Sequence, residues 1–161
     1  MAPSTWMQAV SDEEIRALRR APAGIHELDK PNFYLTHFGG ALNYFLTGQT
    51  WPGPEHHELW PVIGGTDSTP CATLENGSFS VIWPPRVVEL ATLLGGLDVT
   101  AVGIAVGRAD FADLVDEHEL YELELITPEE GPETIRTELE RLIDFYSAAV
   151  DSGLGIVMYD S

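Results

Sequence analysis

Four consecutive residues, Glu55-His56-His57-Glu58, carry side chains that bind zinc, and His26, His37 or His118 could complete a shell. Zinc asks for nitrogen, oxygen or sulfur ligands at tetrahedral positions. Adjacent histidines in extended chain point to opposite sides, so using both needs a special turn. There is no His-Glu-x-x-His and no paired Cys-x-x-Cys, so no metal site is expected. Cys71 is the single cysteine, follows Pro70 and has no histidine beside it in sequence. An inert thiol is the expectation. A Gly-x-Ser-x-Gly elbow is absent. Glycine pairs at 39–40, 64–65 and 95–96 fit neither the phosphate loop nor the dinucleotide fingerprint, and no cofactor is expected. Acid–base chemistry needs a defined carboxylate pair, and none stands out among 26 acids.

Those acids dominate the electrostatics. Against 26 Asp and Glu stand 8 Lys and Arg, a net charge of −18. Binding a duplex requires cations that replace counterions along the phosphates. The chain has no basic cluster, so no nucleic-acid partner is expected, and an anionic membrane would repel it. A basic protein would be attracted and met quickly. With one cysteine no intrachain disulfide forms, which points to a reducing compartment. Met1-Ala2-Pro3-Ser4 shows no signal-peptide pattern, and no apolar run approaches the ~20 residues of a membrane span. A soluble cytoplasmic protein is expected. Its 161 residues suffice for a single domain, 1–161, with its own core.

Residues 3–10 read as a short strand with Trp6 and Met7. Ser11 and Glu14 form a capping-box pair, and the helix they start turns Ile15 and Leu18 inward before Arg19-Arg20. Residues 36–47 read as a second helix, with Phe38, Ala41, Leu42 and Phe45 on one stripe and Gly48 as its stop. Its other side is bare: Thr36, Gly39, Gly40, Asn43 and Thr47 share a face. Interior glycines cost roughly 1 kcal/mol each, so that face is expected to be covered. The expected cover is part of 24–35 or 49–65, with Asn43 hydrogen-bonded to its backbone.

Prolines and glycines make 49–77 a long loop, a usual place for function. Ser78–Trp83 reads as a strand, and Pro84-Pro85 opens a helix to about Leu94. Asp98 suits the cap of a helix to Ala105, although Val99, Val102 and Val106 also permit a strand. Residues 109–117 read as helical. Tyr121–Leu125 alternates and reads as a half-buried strand. Ile135, Leu139, Leu142, Ile143, Tyr146, Ala149 and Val150 form the stripe of a long final helix, and Gly155–Tyr159 closes the chain as a buried strand. Strands at both chain ends with helices between them predict an α+β fold, its sheet mixed or antiparallel.

Two features are more selective. Lys30, the sole lysine, follows Asp29 just before a Pro-Asn turn, and either meets a partner or fixes the turn through a carboxylate. Trp51, Trp60, Phe33, Tyr34 and Tyr44 flank the long loop, as groove lining or as core and anchors.

Several of these pieces recur together. Leu28-Asp29-Lys30, then Ala41-Leu42-Asn43-Tyr44-Phe45-Leu46-Thr47-Gly48, then Val62-Ile63-Gly64-Gly65, and finally Phe145-Tyr146-Ser147-Ala148-Ala149 resemble the YfbM-like family of uncharacterised bacterial proteins. The Leu-Thr-Gly helix is the most specific part. The resemblance spans nearly the whole chain and implies an α+β fold, with no established activity, cofactor or catalytic residue. The family's histidine three residues before Leu-Thr-Gly is Asn43 here, which hydrogen-bonds but does not shuttle a proton. Its tryptophan position falls at Gly39.

The functional expectation is a non-catalytic acidic binding or accessory protein, immunity-like, that masks a basic protein partner. The alternative is an enzyme or small-molecule binder. Its pocket would lie between the 36–48 helix and the 49–77 loop, lined by His37, Asn43, Tyr44, Thr47, Trp51, His56, His57 and Trp60.

Overall fold

The computed structural model describes residues 4–28, 32–50, 57–71 and 77–160. In chain order its elements are β1 (Thr5–Val10), α1 (Asp12–Arg20), a 3-10 turn (Pro22–Glu27), β2 (Phe33–Thr36), α2 (Gly39–Thr47), α3 (Pro61–Gly64) and β3 (Asp67–Pro70). There follow β4 (Ser78–Ile82), α4 (Pro84–Gly95), α5 (Val99–Arg108), α6 (Phe111–His118), a second 3-10 turn (Tyr121–Leu125), α7 (Gly131–Asp151) and β5 (Gly155–Asp160).

Every residue of β1 is buried, as in a strand covered on both faces. It pairs antiparallel with β5 on one side, Thr5 opposite Asp160 and Val10 opposite Gly155, and with β2 on the other. The sheet order is β2-β1-β5-β4-β3, and every pairing is antiparallel. The α+β class with strands at both chain ends is therefore correct, and of the two expected sheet types it is the antiparallel one.

Side-chain alternation along the strands divides the core in two. Trp6, Val10, Phe79, Val81 and Val157 face α1 and the first 3-10 turn, where Ile15, Leu18 and Ile25 cover them. Met7, Ala9, Ile82, Ile156 and Met158 face the larger helical layer, centred on Ile135, Leu139, Leu142 and Tyr146 of α7. The helices α4 and α5 pack against α7, and α4 also lies against β5. Among the described residues no single helix is long and apolar enough to cross a membrane.

Local signals account for several boundaries. Glu14 N donates to Ser11 Oγ at 3.1 Å and Ser11 N to Glu14 Oε1 at 2.9 Å, the reciprocal capping box of α1. Asp98 Oδ1 accepts from Ala101 N at 3.0 Å, so the ambiguous segment after it is helical. Gly48 ends α2 in the left-handed conformation.

Three expectations are corrected. Residues 36–38 are not helical: β2 occupies 33–36, and α2 starts at Gly39 after Thr36 Oγ1 accepts from Phe38 N at 3.0 Å. The 49–77 region is not all loop, since it contains α3 and β3, and β3 exists because β4 pairs with it. Tyr121–Leu125 is a 3-10 turn and not a strand. Leu123 N donates within the turn to Leu120 O at 3.1 Å, while Glu122 and Leu123 are both buried, so adjacent residues share the interior.

Leu139 and Leu142 are fully buried where α7 meets the sheet. Leu139→Ala and Leu142→Ala are each expected to cost ~2–5 kcal/mol in chemical denaturation, from lost transfer energy plus a cavity. A change within about 0.5 kcal/mol would contradict this placement of the core.

Candidate functional site

The bare face of α2 is covered, but not by the expected segments. A Cβ at Gly39 would overlap the Thr5 side chain at the start of β1. One at Gly40 would lie 2.7 Å from Glu122 Oε1 and 3.4 Å from Leu120. Among the described residues, the cover over Gly39 and Gly40 is thus β1 and the second 3-10 turn, in place of 24–35 or 49–65. Glycine at 40 lets the Glu122 carboxylate reach the first turn of α2, where Oε1 accepts from Ala41 N at 2.6 Å. Phe38, at the N-cap, offers no side-chain cap. Glu122 therefore satisfies an orphan N–H of α2 from a distant element.

Glu122 is 5% exposed. Burial raises its carboxyl above the ordinary value and the charge of Asp160 adds to this, while the Ala41 N–H opposes it. Thr5 Oγ1 donates to Asp160 Oδ1 at 2.8 Å, tying the same end of the sheet together. Ser4 Oγ and His37 Nδ1 share a 2.7 Å hydrogen bond there.

The residues expected to line a pocket separate into two groups. His37 precedes α2 and His57 follows it, and α2 alone spans roughly 13 Å along its axis. At the far end Thr47 Oγ1 accepts from Gln49 N at 3.0 Å, Gln49 Oε1 accepts from His57 N at 2.9 Å, and His57 Nδ1 accepts from Leu59 N at 3.1 Å. These bonds tie Gln49, just after α2, to His57 and Leu59 ahead of α3. Asn43 is buried, and among the described residues its Oδ1 has no hydrogen-bond partner and no bridge to the loop is seen. Tyr44 lies against His118, ring centroids 5.0 Å apart. Trp60 is buried with its indole against Gly64. Asp29, Lys30, Trp51 and His56 lie outside the described residues. Among the described residues no group of three His, Cys, Asp or Glu is placed to hold a metal.

A different surface is more distinctive. Between Arg108 and Arg136 the chain has ten acids and no Lys or Arg. Glu122 is buried and Glu133 lies 3.9 Å from Arg136, which leaves eight; all eight are exposed. Elsewhere Arg16, Arg19, Arg86 and Arg141 are each paired with a carboxylate. In this region a groove of about 350 Å³ runs between α6 and the second 3-10 turn. Its floor is Phe111, Val115, Leu123 and Ile126, and Asp116 and Glu124 stand at its rim. Tyr121 and Leu125, 52% and 65% exposed, project from the same turn. The Glu122 anchor explains their exposure: with Glu122 and Leu123 inward, Tyr121 and Leu125 are left outside. The carboxylate run was visible in the sequence as a cation-free stretch. The inward turn of Glu122 was hidden, because its Glu-Leu alternation imitates a strand.

An antiparallel sheet with helices over both faces and an acidic groove on the larger helical layer defines a small single-unit α+β protein. The family model "Domain of unknown function (DUF1877)" matches residues 7–159, and the chain belongs to that family. Among solved structures it is similar to a protein of unknown function, YfbM from Escherichia coli. That match has a TM-score of 0.71 and 17% identity over 98% of this chain and 99% of that one. At this identity the likeness establishes the fold. The YfbM-like resemblance read from the motifs is thereby confirmed. No curated protein matches the chain.

Two outcomes follow from the Glu122 anchor. A carboxyl whose value is raised on folding adds stability at pH below its unfolded value, and that stability is lost as pH rises through the folded value. Glu122→Gln keeps an acceptor for Ala41 N without a buried charge. It is expected to raise the melting temperature at neutral pH, with the gain shrinking on acidification as Glu122 in the parent takes up its proton. Gly40→Leu must push the carboxylate off Ala41 N, and is expected to destabilise by ~1–3 kcal/mol in denaturant titration. A neutral or stabilising Gly40→Leu would show that the contact is dispensable.

Proposed function

We propose that the chain is a non-catalytic binding or accessory protein whose partner is a basic protein. The observation that carries this reading is a stretch of chain with eight exposed carboxylates and no Lys or Arg that also presents the exposed Tyr121 and Leu125. Unpaired surface charge of one sign steers an oppositely charged partner and accelerates encounter. Large apolar side chains amid it supply what charge alone lacks, an area that leaves water on contact. The same charge argues against a nucleic acid or an anionic membrane as partner. The single cysteine, buried, supports a reducing and hence cytoplasmic setting. A catalytic reading has less support. The buried carboxylate is already committed to Ala41 N, and His37 and His57 stand at opposite ends of α2.

Capture from a lysate of the source organism, at low and at high salt, tests the reading. Basic proteins released by salt are expected. The triple variant Asp113→Lys, Asp116→Lys, Glu117→Lys should retain its fold and slow association with the captured protein by ~10-fold or more. Recovery only of acidic or salt-insensitive partners, or an unchanged association rate, would refute it.

A further inference from the structure

We infer that the groove between α6 and the second 3-10 turn is a docking site for a basic amphipathic helix of the partner. This rests on the reading of the chain as a binder of basic proteins, and adds the place and the chemistry of contact. The groove combines apolar lining (Phe111, Val115, Leu123, Ile126) with two exposed carboxylates, Asp116 from α6 and Glu124 from the turn. Apolar lining with carboxylates beside it is complementary to a helix whose apolar stripe is flanked by Lys or Arg. The cleft, about 350 Å³, has room for one or two large apolar side chains. Leu125 beside it extends the apolar area.

Charge selects among occupants. A second copy would bring another −18 against the same acids, so self-association is opposed. An acidic or neutral apolar segment would fill the floor but leave the rim carboxylates facing no cation. A purely cationic segment would satisfy the rim and leave the floor wet. Only a segment with both features uses both.

The test uses the intact chain and three fluorescent peptides of equal length. One is lysine–leucine with leucines at i, i+3, i+4 and i+7, one is oligolysine, and one is glutamate–leucine with the same leucine spacing. The lysine–leucine peptide is expected to bind at least ~10-fold more tightly than either control. Its affinity should fall with salt. Bound peptide should shift the NMR methyl signals of Val115, Leu123 and Ile126. Ala112 is exposed at the groove edge, so Ala112→Trp should fill the groove without disturbing the core. It is expected to weaken the lysine–leucine peptide ~10-fold or more and leave oligolysine unchanged. Asp116→Lys with Glu124→Lys should weaken both cationic peptides. A lysine–leucine peptide that binds equally well to Ala112→Trp overturns the groove while the basic-partner reading stands. So does oligolysine binding as tightly as lysine–leucine. Glutamate–leucine binding as tightly as lysine–leucine overturns the role of charge, and with it both readings. Absence of binding by either cationic peptide at low salt also overturns both.

Discussion

The first and last strands of the chain lie side by side at the middle of the sheet, and the other elements are arranged around that pairing. β1 and β5 match over six residue pairs, from Thr5 opposite Asp160 to Val10 opposite Gly155. Placed centrally, both strands need cover on both faces. The chain supplies it from α1, directly after β1, and from α7, directly before β5. The junction is tight at Gly155, where a Cβ would lie 2.6 Å from Ile82 O and 2.7 Å from the Ile15 side chain. Strand β4 and helix α1 both close on β5 there, and glycine is what permits it. Such a closure joins residues up to 155 apart in sequence, so this pairing is a long-range one.

A second constraint is polar. The first turn of α2 begins with two glycines and no capping side chain, an arrangement that is poor in isolation. Its N–H at Ala41 is satisfied by Glu122, 81 residues away. Gly40 contributes by lacking a side chain where the carboxylate must pass. In return α2 holds the second 3-10 turn by its middle, with Glu122 and Leu123 buried beneath it. The consequence appears on the outer side of that turn, where Tyr121 and Leu125 are left in water next to Glu124 and the α6 carboxylates. A structural contact between two distant segments thus shapes the surface on which the binding reading rests.

The distribution of charge gives that surface its character. Most arginines with an assigned ion pair bridge neighbours on their own helix, such as Arg16 to Asp12 and Arg86 to Glu89. These exposed pairs contribute little to stability. They do mute the local potential around α1, α4 and α7. The stretch from Asp110 to Glu130 contains no Lys or Arg, and the apolar groove lies along it. Electrostatics and shape coincide there, and neither feature alone would single out a binding surface.

Periodicity and caps made the α+β class, the strand at each end, the capping box of α1, and the helices α4, α6 and α7 legible in sequence. Each rests on interactions within one turn or one strand, which neighbours in sequence specify. The same locality limits the rest. Strands β2 and β3 have only four residues each and exist through partners that sequence spacing does not name. Residues 121–125 carry a clean alternation, yet no strand is available to them, and Glu122 turns inward because an N–H of α2 waits there. The bare face of α2 was recognisable as one that must be covered, since unpacked glycines in a helix are costly. Which segment covers it depended on how β1 and the second 3-10 turn meet in space. The sequence by itself determined that the chain would be acidic, largely helical between a strand at either end, and in need of a close contact at Gly39-Gly40. The tertiary structure decided that Glu122 makes that contact and that a groove opens beside it, because both depend on contacts between segments far apart in the chain.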